Sequence, residues 1–189
     1  MQDAPRLPYA LIEGKLTRLR AVEPGDLERD YFWMNDPEIQ RTLQNRYPLS
    51  TAEQRRWVEG TSASGPDDFL FAIETRDGIH IGNIGLHRLD QVARIAELGI
   101  MVGEREYLGR GYGTDAIIAL LRWGFRELNL HRVWLRVYDF NERGRRSYLK
   151  VGFREEGRLR QHHYAQGEHH DAILMGILRG EFEAAHGER

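Results

Sequence analysis

Apolar and polar positions alternate along some stretches of the chain and recur every three to four residues along others, and these two periods divide it into strands and helices. Leu11 to Arg20 has strand spacing and predicts a first strand. Glu23-Pro24-Gly25-Asp26 turns into a helix from about Leu27 to Asn35, which Asp36-Pro37 ends. Ser50-Thr-Ala-Glu53 has the spacing of a capping box, and Trp57 and Val58 supply the apolar face of a second helix reaching about Ser62. From Phe69 the period is that of strands: Phe69 to Ile73, a hairpin turn at Arg76-Asp77-Gly78, Ile79 to Leu89, then Val92 to Val102. A helix from Tyr112 to about Leu128 turns Ala116, Ile117, Leu120, Leu121 and Leu128 toward a core. Arg132 to Tyr138 alternates again, Asn141 to Val151 reads as a short helix closed by Gly152, and the tail closes as a hairpin. Phe153 to Leu159 and Ala172 to Leu178 form its arms, around a polar connection rich in His and Gly.

Glu97 departs from this pattern. In its strand Ala96, Leu98 and Ile100 share one face, and Glu97 shares the other with Ile95, Gly99 and Met101. A carboxylate among apolar neighbours is either a general base with a raised pKa or one half of an ion pair, for which Arg136 across the sheet is the natural partner.

At 189 residues, 41% hydrophobic and 30% charged, the chain suits one compact α/β domain spanning residues 1–189. A formal charge of −2 recommends neither nucleic acid nor an anionic membrane as partner. The absence of cysteine removes disulfides, thiolate metal sites and a cysteine nucleophile. Met1 to Tyr9 has no basic segment followed by an apolar one, and no window approaches the length of a membrane span, so the expected location is the cytoplasm. His162-His163 and His169-His170 flank a turn, but adjacent strand residues point to opposite faces, so no metal is expected. They suit hairpin polarity or an acceptor pocket better.

The run Leu108-Gly-Arg-Gly-Tyr-Gly-Thr114 joins a strand to a helix. Gly109, Gly111 and Gly113 let the backbone turn sharply and bring its N–H groups close to an anion, and the helix adds the positive end of its dipole. The alternative is an ordinary glycine-rich turn. No lysine follows the last glycine, which excludes a P-loop, and Gly-x-Gly-x-Gly has the wrong spacing for a Rossmann fingerprint.

This loop, Arg132-Val-Trp-Leu-Arg-Val, Asn141 and Tyr148-Leu-Lys-Val-Gly-Phe153 together resemble the GNAT acetyltransferases, and within them the RimJ/RimL-like branch. The resemblance implies a mixed, strongly twisted sheet with helices on both faces, and acetyl-CoA as cosubstrate without a metal. It implies that Ile100, Met101 and Val102 offer backbone groups to the pantetheine arm and acetyl carbonyl. Arg110, Gly111, Tyr112, Gly113 and Thr114 would cradle the pyrophosphate, and Leu108 and Gly109 belong to the same cofactor-binding loop, with Leu108 where relatives often have Gln or Arg. Asn141 would contact the cofactor arm, and Tyr148 would lie beside the sulfur and supply its proton. The alternative for Tyr148 is a half-buried aromatic on an amphipathic helix. Gly144 stands where many relatives have Ser or Ala, so a helper hydroxyl is missing there. Arg105, Arg143, Arg145 and Arg146 form a basic cluster for the 3′-phosphate of CoA or a solvated basic face.

The activity implied is direct acetyl transfer to a primary amine, on a protein N-terminus or a small amine such as a polyamine, amino acid or antibiotic. Glu97 and Tyr148 are the catalytic candidates. The rival reading is a non-catalytic acyl-CoA-binding sensor or interaction module. Asp26, Glu28, Asp30, Asp36 and Glu38 would attract a cationic acceptor or form a solvated helix face, and Trp33, Tyr47 and Trp57 would line an apolar pocket or belong to the core. Relatives are often dimers, which makes a homodimer an expectation resting on the resemblance alone.

Overall fold

The computed structural model describes residues 12–43, 47–53, 55, 56 and 67–187. Eight strands, β1 (Ile12–Glu13), β2 (Thr17–Ala21), β3 (Phe69–Thr75), β4 (His80–Asp90), β5 (Ile95–Val102), β6 (Arg132–Tyr138), β7 (Arg154–Ala165) and β8 (Glu168–Leu178), make one sheet in the order β1-β2-β3-β4-β5-β6-β8-β7. Every neighbouring pair is antiparallel except β5 and β6. Those two are parallel and in register only at Ile95–Arg132, Ala96–Val133 and Glu97–Trp134. Beyond that point β5 stays paired with β4 as far as Val102, while β6 stays paired with β8 as far as Tyr138. Each strand keeps its outer partner, so a cleft opens between their inner edges.

The helices are α1 (Leu27–Asn35), α2 (Pro37–Gln40), α3 (Tyr112–Arg126), α4 (Glu142–Val151) and α5 (Arg179–His186). On α3, Ala116, Ile117, Leu120, Leu121 and Phe125 are buried against Ile84, Leu86, Ala96 and Leu98 of the sheet, as the helical period of the sequence requires. The opposite face is covered by α1, through Leu27 near Ala72 and Asp30 on Asn83. The mixed sheet with helices on both faces is thus the expected one.

Three details differ from the sequence reading. The first strand is two, because the chain turns at Gly14 to Leu16 and this turn is tied down by a side chain from α3. The tail hairpin is longer than expected: Gln166 and Gly167, at φ 53° and 87°, make a tight turn, and the polar stretch around it continues both strands. Finally α5 was not foreseen. It is anchored by one large apolar side chain, Phe182, buried against Phe125 at 5.3 Å between ring centroids, a burial worth about 2 kcal/mol. The capping box at Ser50 is formed, with Glu53 N–H donating to Ser50 Oγ at 3.2 Å and Ser50 N–H to Glu53 Oε2 at 2.8 Å. Trp57 and Val58 lie outside the described residues.

Candidate active site

The cleft between β5 and β6 has a volume of about 400 Å3 and runs from the end of β5 past the glycine loop to α4. Ile100, Met101, Val102, Leu108, Gly109, Gly111, Gly113, Thr114, Asn141, Arg146 and Tyr148 line it, which brings together eleven of the fourteen residues singled out in the sequence. Arg110, Tyr112 and Glu97 stand outside it. Arg110 donates to the Glu106 carbonyl at 3.3 Å, and the Tyr112 ring stands edge-on to Tyr107 with centroids 5.0 Å apart.

Gly109 and Gly111 have φ of 72° and 92°, a left-handed backbone that a side chain would strain. These two residues aim the chain into the N-terminus of α3. Asp115 is the first amide to donate within that helix, to the Gly111 carbonyl at 2.9 Å. The amides of Tyr112, Gly113 and Thr114 precede it, with no intrahelical carbonyl within reach, and the dipole adds to them. Gly113 has an ordinary φ; a Cβ there would meet Val102 Cγ2 at 3.6 Å, a normal contact. An open strand edge leading to a bare N–H cradle fits a long thioester carrying a pyrophosphate.

Asn141 caps α4, its Oδ1 accepting from the Gly144 amide at 3.0 Å. A Cβ on residue 144 would come within 2.9 Å of Asn141 Nδ2, so the glycine there makes room for the cap. The hydroxyl missing at 144 reappears one turn on as Ser147, which sequence reading passed over. Residues three apart share a helix face, and that spacing was the available signal. Ser147 Oγ lies 2.8 Å from Thr114 Oγ1, a bond that joins α4 to α3 across the bottom of the cleft.

Tyr148 follows Ser147 into the cleft and is 8% exposed, its ring edge-on to Phe153 at 6.0 Å. Burial pushes its phenol up to about 12, so it is a neutral O–H at any physiological pH.

Glu97 sits where the pairing of β5 with β6 ends, 7% exposed and beside the cleft rather than in it. Arg136 Nε donates to its Oε1 at 3.2 Å and Arg88 Nη1 to its Oε2 at 2.8 Å. The pairing with Arg136 weighed from the sequence is therefore present, with a second guanidinium added.

The basic cluster is divided. Arg105 binds Asp36 and Glu38 at 3.0 and 3.3 Å, Arg145 pairs with Glu155, and Arg146 pairs with Glu142 at 3.1 Å. Arg143 and Lys150 line the cleft. Of the acidic residues expected to attract an acceptor, Asp26 and Asp30 are a buried network and not a solvated face. Asp26 holds Arg20 through two hydrogen bonds of 2.7 and 2.8 Å, and His80 Nδ1 lies 3.2 Å from it. Asn83 Nδ2 donates to Asp30 at 2.7 Å and Asn83 Oδ1 meets His80 Nε2 at 3.0 Å. Burial pushes Asp30 up to about 6 despite the Asn83 bond. Burial works against ionised Asp26, yet its bonds from Arg20 and His80 hold it well below the usual carboxylate range. Burial likewise opposes protonated His80, but Asp26 outweighs it and raises the imidazole.

Trp33 is core, against His80 with ring centroids 4.8 Å apart, and Tyr47 is exposed. The histidines of the last hairpin do not reach the cleft: His163 stacks on Tyr138 at 3.7 Å and His170 lies edge-on to Phe140 at 4.6 Å. Among the described residues no group of three or more His, Cys, Asp or Glu is placed to hold a metal ion, and no helix is long and apolar enough to cross a membrane.

Known proteins are similar to this chain in sequence and fold. The family profile described as "Acetyltransferase (GNAT) domain" matches residues 17–154. The Bacillus subtilis SPbeta prophage-derived uncharacterized N-acetyltransferase YokL is 33% identical over 175 residues, which cover 92% of this chain and 96% of that protein. The spermidine N(1)-acetyltransferase of Escherichia coli K12 is 34% identical over 116 residues, 61% of each chain. A crystal structure of the Vibrio cholerae spermidine N-acetyltransferase in complex with CoA and spermine superposes with a TM-score of 0.82 at 27% identity, over 88% of this chain and 98% of that one. The loop-and-cleft geometry and these likenesses agree, and the chain belongs to the GNAT acetyltransferases as an acetyl-CoA-dependent N-acetyltransferase.

Proposed function

We propose that the chain acetylates a primary amine on a small polycation, with polyamines as the first acceptors to test and protein N-termini, in keeping with a RimJ/RimL-like ancestry, as the second. The observation that carries the reading is the meeting of three features in one cleft: the N–H cradle at Gly109 to Thr114, the open edge of β5 at Ile100 to Val102, and the Tyr148 hydroxyl. The likeness to spermidine acetyltransferases supports the choice of polyamine.

Acetyl-CoA supplies the acyl group as a thioester, so a C–N bond forms while the C–S bond breaks and a thiolate departs. Backbone amides of Tyr112, Gly113 and Thr114 hold the pyrophosphate, and Asn141, Arg143 and Arg146 flank the arm. Tyr148 faces the departing sulfur. Full proton transfer from a phenol at about 12 to a thiolate of ordinary pKa, about 8.5, runs uphill by about 5 kcal/mol. Tyr148 therefore acts as a hydrogen-bond donor, giving up its proton only as the amine nitrogen returns one. Glu97 is the sequence candidate for taking the first proton from the incoming ammonium, and both of its oxygens already carry a guanidinium.

The test is thiol release from acetyl-CoA on adding spermidine, spermine, single amino acids, aminoglycosides and N-terminal peptides in turn. Turnover with the polyamines alone is the expected result. Turnover with peptides alone would replace the acceptor, and calorimetric binding of acetyl-CoA without release by any amine would overturn the transferase reading.

A further inference from the structure

We infer that His87 is the group that takes the proton from the acceptor ammonium, with Asp68 as the residue that positions it; this inference rests on the proposed transfer to an amine. His87 is directly opposite Glu97 in the β4–β5 register, so the two side chains share the sheet face away from α3. Between them and the cleft the two strands carry glycine on this face. Gly85 and Gly99 are paired across the same strands, and the His87 ring lies over both: a Cβ on Gly85 would be 2.8 Å from His87 Nε2, and one on Gly99 would be 3.2 Å from it. Met101, which lines the cleft, stands two residues beyond Gly99 on the same face, about 7 Å along the strand. Two glycines thus place no side chain of their own between the imidazole and Met101, although His87 itself stands beside the cleft lining rather than in it.

The other ring nitrogen is held. His87 Nδ1 lies 3.0 Å from Asp68 Oδ1, and an ionised carboxylate only accepts, so Nδ1 carries the proton and the lone pair of the neutral ring is on Nε2. Among the described residues Nε2 has no hydrogen-bond partner. The same Asp68 oxygen accepts from the Arg88 amide at 3.2 Å, which stabilises Arg88 at φ 52° within the bulge between His87 and Asp90. That bulge sends the Arg88 guanidinium onto Glu97. One carboxylate therefore orients the free imidazole and occupies the rival base. Among the described residues the charged groups tied to the ring or to its cross-strand partner Glu97 are Asp68, Arg88 and Arg136.

In the step assigned to it, an N–H bond of the ammonium breaks and an N–H bond forms at Nε2. The freed electron pair of the amine is then available for attack, and the imidazolium passes its proton to water.

The experiment combines nitrogen-15 spectra of the His87 ring with rates for wild type, His87→Ala, Asp68→Asn and Glu97→Gln, using acetyl-CoA and spermidine across pH 6.5 to 9.5. The expected spectrum has the proton on Nδ1 in the neutral ring, and Asp68→Asn mixes the tautomers. His87→Ala should lose about 100-fold or more in kcat/KM at pH 7.5 with acetyl-CoA binding unchanged by calorimetry. Added imidazole should restore part of that rate, and the deficit should shrink as pH rises and free amine accumulates. A proton on Nε2, a wild-type rate in His87→Ala, or a loss that neither imidazole nor pH alters would overturn the assignment. So would loss of the pH dependence in Glu97→Gln alone. If the wild type itself releases no thiol with any amine, the transfer reading fails first and the base assignment fails with it, an outcome distinct from an active wild type indifferent to His87.

Discussion

Asp115, in the first turn of α3, accepts two hydrogen bonds from Thr17, from its amide at 2.9 Å and from its hydroxyl at 2.8 Å. The same carboxylate takes the Lys15 and Leu16 amides at 2.9 and 2.8 Å. It thereby satisfies the turn between β1 and β2, and a Cβ on Gly14 would collide with it. An acidic side chain in the first turn also suits the helix dipole. The first hairpin is in this way fastened to the helix whose N-terminus is the proposed phosphate cradle, with Leu16 resting 3.6 Å from where a Cβ on Gly111 would be.

Asp115→Ala would strand three backbone amides and a hydroxyl, so it should cost about 2 to 4 kcal/mol in urea unfolding and weaken acetyl-CoA binding in parallel. Asp115→Asn keeps one acceptor oxygen and should lose roughly half as much. Equal stability for Asp115→Ala and wild type would mean that the hairpin does not depend on this carboxylate.

The loop glycines make separable predictions. Gly111→Ala keeps an open contact to Leu16 but must hold φ near 92°, so it should destabilise the fold by about 1 to 2 kcal/mol and lower acetyl-CoA affinity with it. Gly113→Ala has no such strain and should gain about 0.5 to 1 kcal/mol as a helix residue, while its methyl crowds the amides and weakens binding. Chemical denaturation and calorimetry on both variants check this; affinity that follows stability in each case would discard the cradle.

Most of this architecture was legible in the sequence, because the period of apolar residues reports directly which face an element buries. The β6 boundaries at Arg132 and Tyr138 were read that way, whereas the α1 boundaries at Leu27 and Asn35 came from the turn before it and Asp36-Pro37 after it, and the end of α4 from Gly152. What escaped depends on contacts between distant residues. The turn that splits β1 from β2 is held by Asp115, a hundred residues on from Lys15. The helix α5 hangs on one phenylalanine. For the site, the glycine loop alone is a weak signal that an ordinary turn would also give, and Tyr148 was singled out only through the family resemblance of the whole run from Leu108 to Phe153. The bond of Ser147 to Thr114, the Arg88 bridge to Glu97 and the Asp68 contact to His87 arise only once the sheet register is set.

Tyr148→Phe removes the hydroxyl and little else, since the ring is packed against Phe153. It should lower kcat by about 100-fold or more while leaving KM for acetyl-CoA within about twofold. Because burial raises the phenol to about 12, wild type should show no alkaline loss of rate from this group below about pH 11. A wild-type alkaline limb near pH 9 that disappears in Tyr148→Phe would contradict the buried, neutral phenol.

The network beneath α1 makes stability depend on pH. Asp30 is fully buried, with its folded pKa raised from 3.8 to about 6, so the folded state holds this proton more tightly than the unfolded chain. Its contribution is present below about pH 4 and is lost as pH rises through about 6. That difference corresponds to on the order of 3 kcal/mol. His80, also raised, has the same sign: its contribution is present below its unfolded value of 6.5 and is lost above its folded one. Asp26, lowered, has the opposite sign and weakens the fold only as pH falls below 3.8. Asp30→Asn imitates the protonated acid and keeps an acceptor for Asn83, so it should match wild type near pH 4.5 and exceed it by about 1 to 3 kcal/mol at pH 7.5. Urea unfolding of both proteins at the two pH values measures this, and a variant less stable than wild type at pH 7.5 would show that ionised Asp30 is held favourably by His80.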